Sequence, residues 1–187
     1  NYTIDDLKYA ISEFKRILKP GGSCIIFFDL WKMETLSNLL EEVNFSKLRF
    51  IEWLKTNPVP VNQKSTYLSN AREIAISCVK GSKATFNSKY DKGVYEYPIY
   101  SGKDRFHPTQ KSLPLFEELI KKHSNEGDVV VDPYGGSATT ALAAKNSACC
   151  KVATSSCNRA NSLSCDSIVV EFCFNAFVCL FNFFKHF

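Results

Sequence analysis

The stretch from Asp128 to Lys145, DVVVDPYGGSATTALAAK, leaves the rest of the chain the fewest folding options. Three consecutive valines closed by the carboxylate of Asp132 have the make-up of a short strand buried on both faces of a parallel sheet. Pro133, Tyr134, Gly135 and Gly136 interrupt it, and Ser137, Thr139 and Thr140 are cap-type residues ahead of the helix-forming run Ala141 to Lys145. The order is strand, glycine turn, helix. In an open α/β sheet such a turn lies at the carboxyl end of its strand, where backbone N–H groups and the helix dipole face a ligand. A small anionic or nucleoside-bearing molecule is the natural occupant, although turns of this kind also occur in α/β folds that bind nothing there.

The upstream sequence supplies more of the same layered architecture. Leu7, Ala10, Ile11, Phe14, Ile17 and Leu18 recur at helical spacing after the capping residue Thr3. Pro20-Gly21-Gly22 stops that helix, and Ser23 to Phe28 reads as a second buried strand, with Asp29 at its end placed to cap the next helix or else to face the ligand crevice. Met33 to Val43 reads as a surface helix facing inward through Leu36, Leu39, Leu40 and Val43. Leu48 to Lys55 and Glu73 to Val79 alternate as half-buried strands joined by a polar loop, which predicts a hairpin, with Trp53 in the core. Between Ser82 and Arg105 no periodicity stands out. Ser112 to His123 is helical, with Pro114 in the first turn where proline is tolerated.

At 187 residues the chain has room for one domain with a sizeable core. The net charge of +4 is matched by Lys80 to Lys111 alone, which holds seven Lys or Arg against three acids. The same segment carries Phe86, Tyr90, Tyr95, Tyr97, Tyr100 and Phe106, and cations interleaved with rings suit nucleic acid: charge for phosphates, faces for bases. A solvated surface with a few core aromatics is the plainer alternative. Of eight cysteines, six lie between Cys149 and Cys179, none in a C-x-x-C pair, and no signal peptide is visible. That pattern predicts a reducing, cytoplasmic setting and no metal.

Directly before the strand stands HPTQKSLPLFEELIKKHSNEG, so His107-Pro108-Thr109-Gln110-Lys111 is followed by a helix and then by Asp132-Pro133-Tyr134-Gly135-Gly136-Ser137-Ala138-Thr139-Thr140. Two motifs in this order and spacing resemble the β-class, circularly permuted amino-group DNA methyltransferases. The LKPGG turn at Leu18 to Gly22 and the spacing of Trp53, Lys55, Asn57 and Pro58 agree with that family. The resemblance implies an α/β fold with the Rossmann-like sheet of class I S-adenosylmethionine-dependent methyltransferases, incomplete, with a β-hairpin at its edge. It implies methyl transfer from S-adenosyl-L-methionine to an exocyclic amine of a flipped-out base in double-stranded DNA, N6 of adenine ahead of N4 of cytosine. Cofactor contacts would come from Thr109, Lys111, Asp132, Tyr134, Gly136 and Ser137. Lys83, Lys89, Lys92, Lys103 and Arg105 would face DNA, within a DNA-facing segment 82–111. A restriction endonuclease is a partner that the family suggests.

Two departures stand beside the resemblance. Ala138 replaces a family glycine, at a cost on the order of 1 kcal/mol if the position needs a positive φ. The family's catalytic motif, Asp/Asn/Ser-Pro-Pro-Tyr/Phe, is absent from the 187 residues, so no catalytic residue is assigned and the chain is expected to be a fragment without turnover. Residues 1–147 then read as a partial methyltransferase domain and 148–187 as a disordered, aberrant or hydrophobic tail. After Lys145 neither the family's next strand nor its ribose-binding acid is legible. Ile168 to Phe184 is apolar apart from Glu171, Asn175 and Asn182, which allows either a frame disruption or an amphipathic helix at a membrane surface. A methyltransferase for RNA or a small molecule, and a non-catalytic nucleic-acid-binding remnant, are the competing readings.

Overall fold

The computed structural model describes residues 3–61, 64, 66–102, 110–135 and 137–147, with the backbone of 151–154 and 176–182. In chain order the elements are α1 (Ile4–Ile17), β1 (Leu18–Phe28), α2 (Met33–Glu42), β2 (Ser46–Lys55), β3 (Arg72–Val79), β4 (Val94–Tyr97), α3 (Leu113–His123), β5 (Val129–Asp132), α4 (Thr139–Asn146), β6 (Lys151–Thr154) and β7 (Ala176–Asn182). Seven strands form one sheet in the order β4-β2-β3-β1-β7-β5-β6. Only β3 runs against the others: it pairs antiparallel with β1 and β2, while β1–β7, β7–β5, β5–β6 and β2–β4 are parallel. The carboxyl ends of β1, β2, β4 and β5 therefore share one rim with the amino end of β3.

Alternation along β1 divides the core. Cys24, Ile26 and Phe28 face α1 and α2, with Leu7, Ile11, Phe14, Leu36 and Leu40. Ile25 and Phe27 face the opposite way and pack with Trp53, Tyr95, Leu115, Phe116, Leu119 and Ile120, and with Ala143 and Ala144 of α4. The result is a three-layer α/β/α arrangement of the Rossmann-like kind that the strand–turn–helix signature demands. Thr3 closes a capping box with Asp6 at the start of α1, and Asp29 caps the short 3₁₀ turn Leu30–Lys32 by accepting from the Trp31 N–H. Helix α3 runs from the carboxyl rim to the start of the apolar part of β1. Its start is tied to the carboxyl rim through Lys111, and its last residue, His123, reaches Ser23 on β1 with Nδ1 and Oγ 3.0 Å apart.

Several expectations need correction. The β2–β3 hairpin is not at the sheet edge, because β4 adds outside β2 in parallel, and β4 comes from a segment without legible periodicity. It is held from both ends: Glu52 N–H donates to Gly93 O, Trp53 Nε1 to Tyr97 O, and the Asn57 side-chain amide donates to Ile99 O and accepts from the Ile99 N–H. A strand does follow α4, since Lys151–Thr154 pairs with the full length of β5. The helical reading of 168–184 fails over Ala176–Asn182, which is β7, threaded between β1 and β5. Leu18–Phe28 is one strand span, distorted where Pro20-Gly21-Gly22 shifts the register between Leu18 and Ser23.

Candidate functional site

The turn after β5 is organised by Asp132. Its carboxylate is 3 % exposed and on the α3/α4 face of the sheet, in phase with Val130. Oδ1 accepts from the Tyr134 N–H at 3.0 Å and Oδ2 from the Thr140 hydroxyl at 2.5 Å, so one side chain closes the turn onto the first residues of α4. Burial in this apolar setting pushes the Asp132 carboxyl up to about 6, and the two hydrogen bonds offset only part of that. A carboxylate kept at the carboxyl end of a central strand against its desolvation cost is suited to a cationic ligand group. Both oxygens retain lone pairs for such a contact.

The flank of the turn behaves differently from its cap-like sequence. Ser137, Thr139 and Thr140 do not cap α4: Ser137 Oγ and Thr139 Oγ1 bond each other at 2.9 Å, Thr140 turns to Asp132, and Ala138 occupies the N-cap position without a side-chain bond. Ala138 adopts φ 56 and ψ 20, the left-handed conformation that the family's glycine would take without strain. Tyr134 is half-buried against the α1/α2 core. Gly136 lies outside the described residues, as do His107, Pro108 and Thr109.

Lys111 is as buried as Asp132, 3 % exposed. It enters just ahead of α3 on the same rim and face as Asp132. Its ammonium lies 5.6 Å from the Phe27 ring centre and 5.8 Å from that of Trp53, and pairs with Glu73 at the amino end of β3. Lys55 takes the other Glu73 oxygen at 2.7 Å. Burial, only partly countered by Glu73, lowers the Lys111 ammonium to about 8. Glu73 is the residue that sequence reading missed, and its signal was available: it is the single acid at the start of the otherwise apolar EIAISCV.

Lys83, Lys89 and Lys92 are exposed, and Tyr90 beside them is fully so. Lys103 and Arg105 lie outside the described residues. The aromatic half of the basic–aromatic pattern is only partly on the surface. Tyr95 is buried beneath Lys122, whose Nζ is 4.4 Å from its ring centre, Tyr97 bonds Glu118, and Phe86 packs edge-on against His123 at 5.0 Å. Among the described residues no His/Cys/Asp/Glu group could hold a metal, and no helix is long and apolar enough to cross a membrane.

Comparison with known proteins gives this geometry a family. Type II methyltransferase M.HinfI of Haemophilus influenzae is 32% identical over 154 residues, which is 72% of this chain and 43% of that protein. Type II methyltransferase M2.DpnII of Streptococcus pneumoniae is 32% identical over 146 residues, 70% of this chain and 54% of its own length. The chain thus spans about half the length of the curated relatives it matches. Among solved structures, the M1.HpyAVI–SAM complex superposes with a TM-score of 0.70 at 31% identity, covering 83% of this chain and 78% of the other. The cytosine-N4-specific PvuII DNA methyltransferase, at 17% identity and a TM-score of 0.67 over 88% of this chain and 74% of that one, shares the fold. Residues 1–154, β1 to β6 with all four helices, match the DNA methylase family, and the chain belongs to it.

Proposed function

We propose that this chain is the cofactor-binding part of a site-specific DNA amino-methyltransferase that uses S-adenosyl-L-methionine, with N6 of adenine as the target ahead of N4 of cytosine. The observation that carries the proposal is the Asp132 carboxylate, buried at the carboxyl end of β5 and closing a glycine turn, within a chain whose residues 1–154 match DNA methylases. S-adenosylmethionine, when bound, supplies a methyl group on a positively charged sulfur. In this reading Asp132 receives the methionine ammonium, Tyr134 packs beside the cofactor, and Gly136 and Ser137 admit it close to the backbone. Thr109 and Lys111 stand on the carboxylate side. The exposed Lys83, Lys89 and Lys92, with Lys103 and Arg105, meet DNA phosphates, and a restriction endonuclease in the same cytoplasm is the fitting functional partner. With no Pro-Pro-Tyr/Phe motif in the sequence to hold the target base, the chain binds cofactor without turnover.

Calorimetric titration with S-adenosylmethionine tests this. An ammonium brought to a carboxyl that titrates near pH 6 draws it into the ionised form, so binding at pH 6 releases a fraction of a proton. Titrations in buffers of different ionisation enthalpy read that release directly. Asp132→Asn is expected to abolish the release and weaken binding by about ten- to a hundredfold, the worth of a charged hydrogen bond. A wild-type chain that binds no cofactor, or an Asp132→Asn chain that binds equally well, defeats the proposal.

A further inference from the structure

The carboxyl rim carries a second buried charge cluster, three strand spacings from Asp132 in the order β3-β1-β7-β5 and on the same face. It contains two cations and one anion. Lys111 and Lys55 each take one oxygen of Glu73, and their ammonium groups lie against the rings of Phe27 and Trp53. The side chains are 3 %, 10 % and 11 % exposed for Lys111, Lys55 and Glu73. Burying such a set is a poor way to gain stability, since desolvation opposes the charge attraction. An apolar side chain in place of Lys111 would suit the Phe27–Trp53 slot better. What the cluster does achieve is position. Lys111 is the last residue but one before α3, the helix begins with the Phe116 N–H to Ser112 O bond at 3.2 Å, and Leu115, Phe116, Leu119 and Ile120 then cover Val130 and α4.

We infer that Glu73, assisted by Lys55, is a positioning residue: by holding Lys111 it fixes the amino-terminal end of α3 against the carboxyl rim and so sets where that end stands relative to the Asp132 turn. The inference rests on the proposed cofactor site for its consequence, but the anchoring itself stands on the geometry. Among the described residues, Glu73 from β3 and Lys55 from β2 face the Lys111 ammonium, with the Phe27 and Trp53 rings. The latch is closed while Lys111 is charged and slackens as the pH rises past about 8.

The test uses the full chain and the variant Lys55→Met/Glu73→Gln/Lys111→Met, which removes the latch together with every charge of the cluster. Three readouts are needed: thermal unfolding, amide exchange at Phe116, and the calorimetric Kd for S-adenosylmethionine between pH 7 and 9. The triple variant is expected to unfold no earlier than wild type, yet to exchange Phe116 faster and bind cofactor about tenfold or more weakly, because a displaced helix start spoils the fit without unfolding the domain. The ratio of variant to wild-type Kd, in which the cofactor's own ionisations cancel, should fall toward one as the pH passes about 8. Unchanged Phe116 exchange overturns the inference whatever the Kd, because weaker binding would then be the loss of Lys111 as a direct contact, and so does an affinity loss that only follows a loss of stability. If wild type binds no cofactor, the methyltransferase reading falls instead, and Phe116 exchange alone judges the latch: faster in the variant upholds it, unchanged refutes it.

Discussion

At the scale of single residues, two buried titrating groups oppose each other across pH 4 to 6. Asp132 is held up at about 6 by burial, above its ordinary 3.8. Between those values the folded chain binds more protons than the unfolded one, so this group removes about 3 kcal/mol of stability as the pH rises. His123 is lowered by burial from 6.5 to about 4. There the unfolded chain binds more protons, and this group adds about 3 kcal/mol over nearly the same rise. Wild-type stability from these two groups should be almost flat between pH 4 and 6, and Asp132→Asn should uncover the His123 slope, losing stability steeply toward pH 4. Urea unfolding at pH 4, 5, 6 and 7 measures both; parallel pH profiles for the two proteins would refute the balance. Of these residues Asp132 was legible in the sequence as the carboxylate that ends an apolar run ahead of the glycines. The strain at Ala138 was legible too, as the methyl group in a glycine's place. The pairing of Glu73 with Lys111 was not, since the two lie 38 positions apart and only tertiary packing joins them.

At the scale of elements, the long periodic segments could be read and the short ones could not. Helices α1, α2 and α3 announce themselves by three- and four-residue spacing, and β3 by its apolar run. β4 and β6, four residues each, have no pattern of their own and exist because β2 and β5 offer a free edge in parallel. The Pro20-Gly21-Gly22 stretch marked a stop correctly, but it bends a strand and does not begin one. Gly21 has φ 85, and a Cβ there would stand 2.8 Å from the Lys83 carbonyl oxygen. Its N–H donates to Lys80 O at 2.7 Å while its own carbonyl accepts from Thr85, so the bend also anchors the segment that carries Lys83. Gly21→Ala should cost at least about 1–2 kcal/mol, from left-handed strain with the backbone contact added. Chemical denaturation that shows no loss would mean that this bend relaxes freely.

At the scale of the whole molecule, the sheet is continuous only through β7. Strands β1 and β5 carry the two cores, yet neither pairs with the other: Ser23 and Val130 both align with Val178 of β7, which runs parallel between them. The turn after β5 and the Glu73 cluster at the β3 end therefore keep their distance through a strand contributed by the last part of the sequence. No reading of composition foretold that role, because an apolar, cysteine- and phenylalanine-rich stretch is equally at home in a helix, a membrane surface or a buried parallel strand. A central strand cannot lose a backbone donor without breaking a ladder. Val178→Pro should accordingly cost about 3 kcal/mol or more. It should also split unfolding into two transitions, the β5–β6 part with α4 melting before the β1–β3 part with α1 and α2. The tryptophan signal from Trp53 follows the second of these, and amide exchange at Val130 and Val131 the first. A single transition at the wild-type midpoint would show that the two halves are joined by their helices alone, and that β7 is dispensable to the distance between turn and cluster.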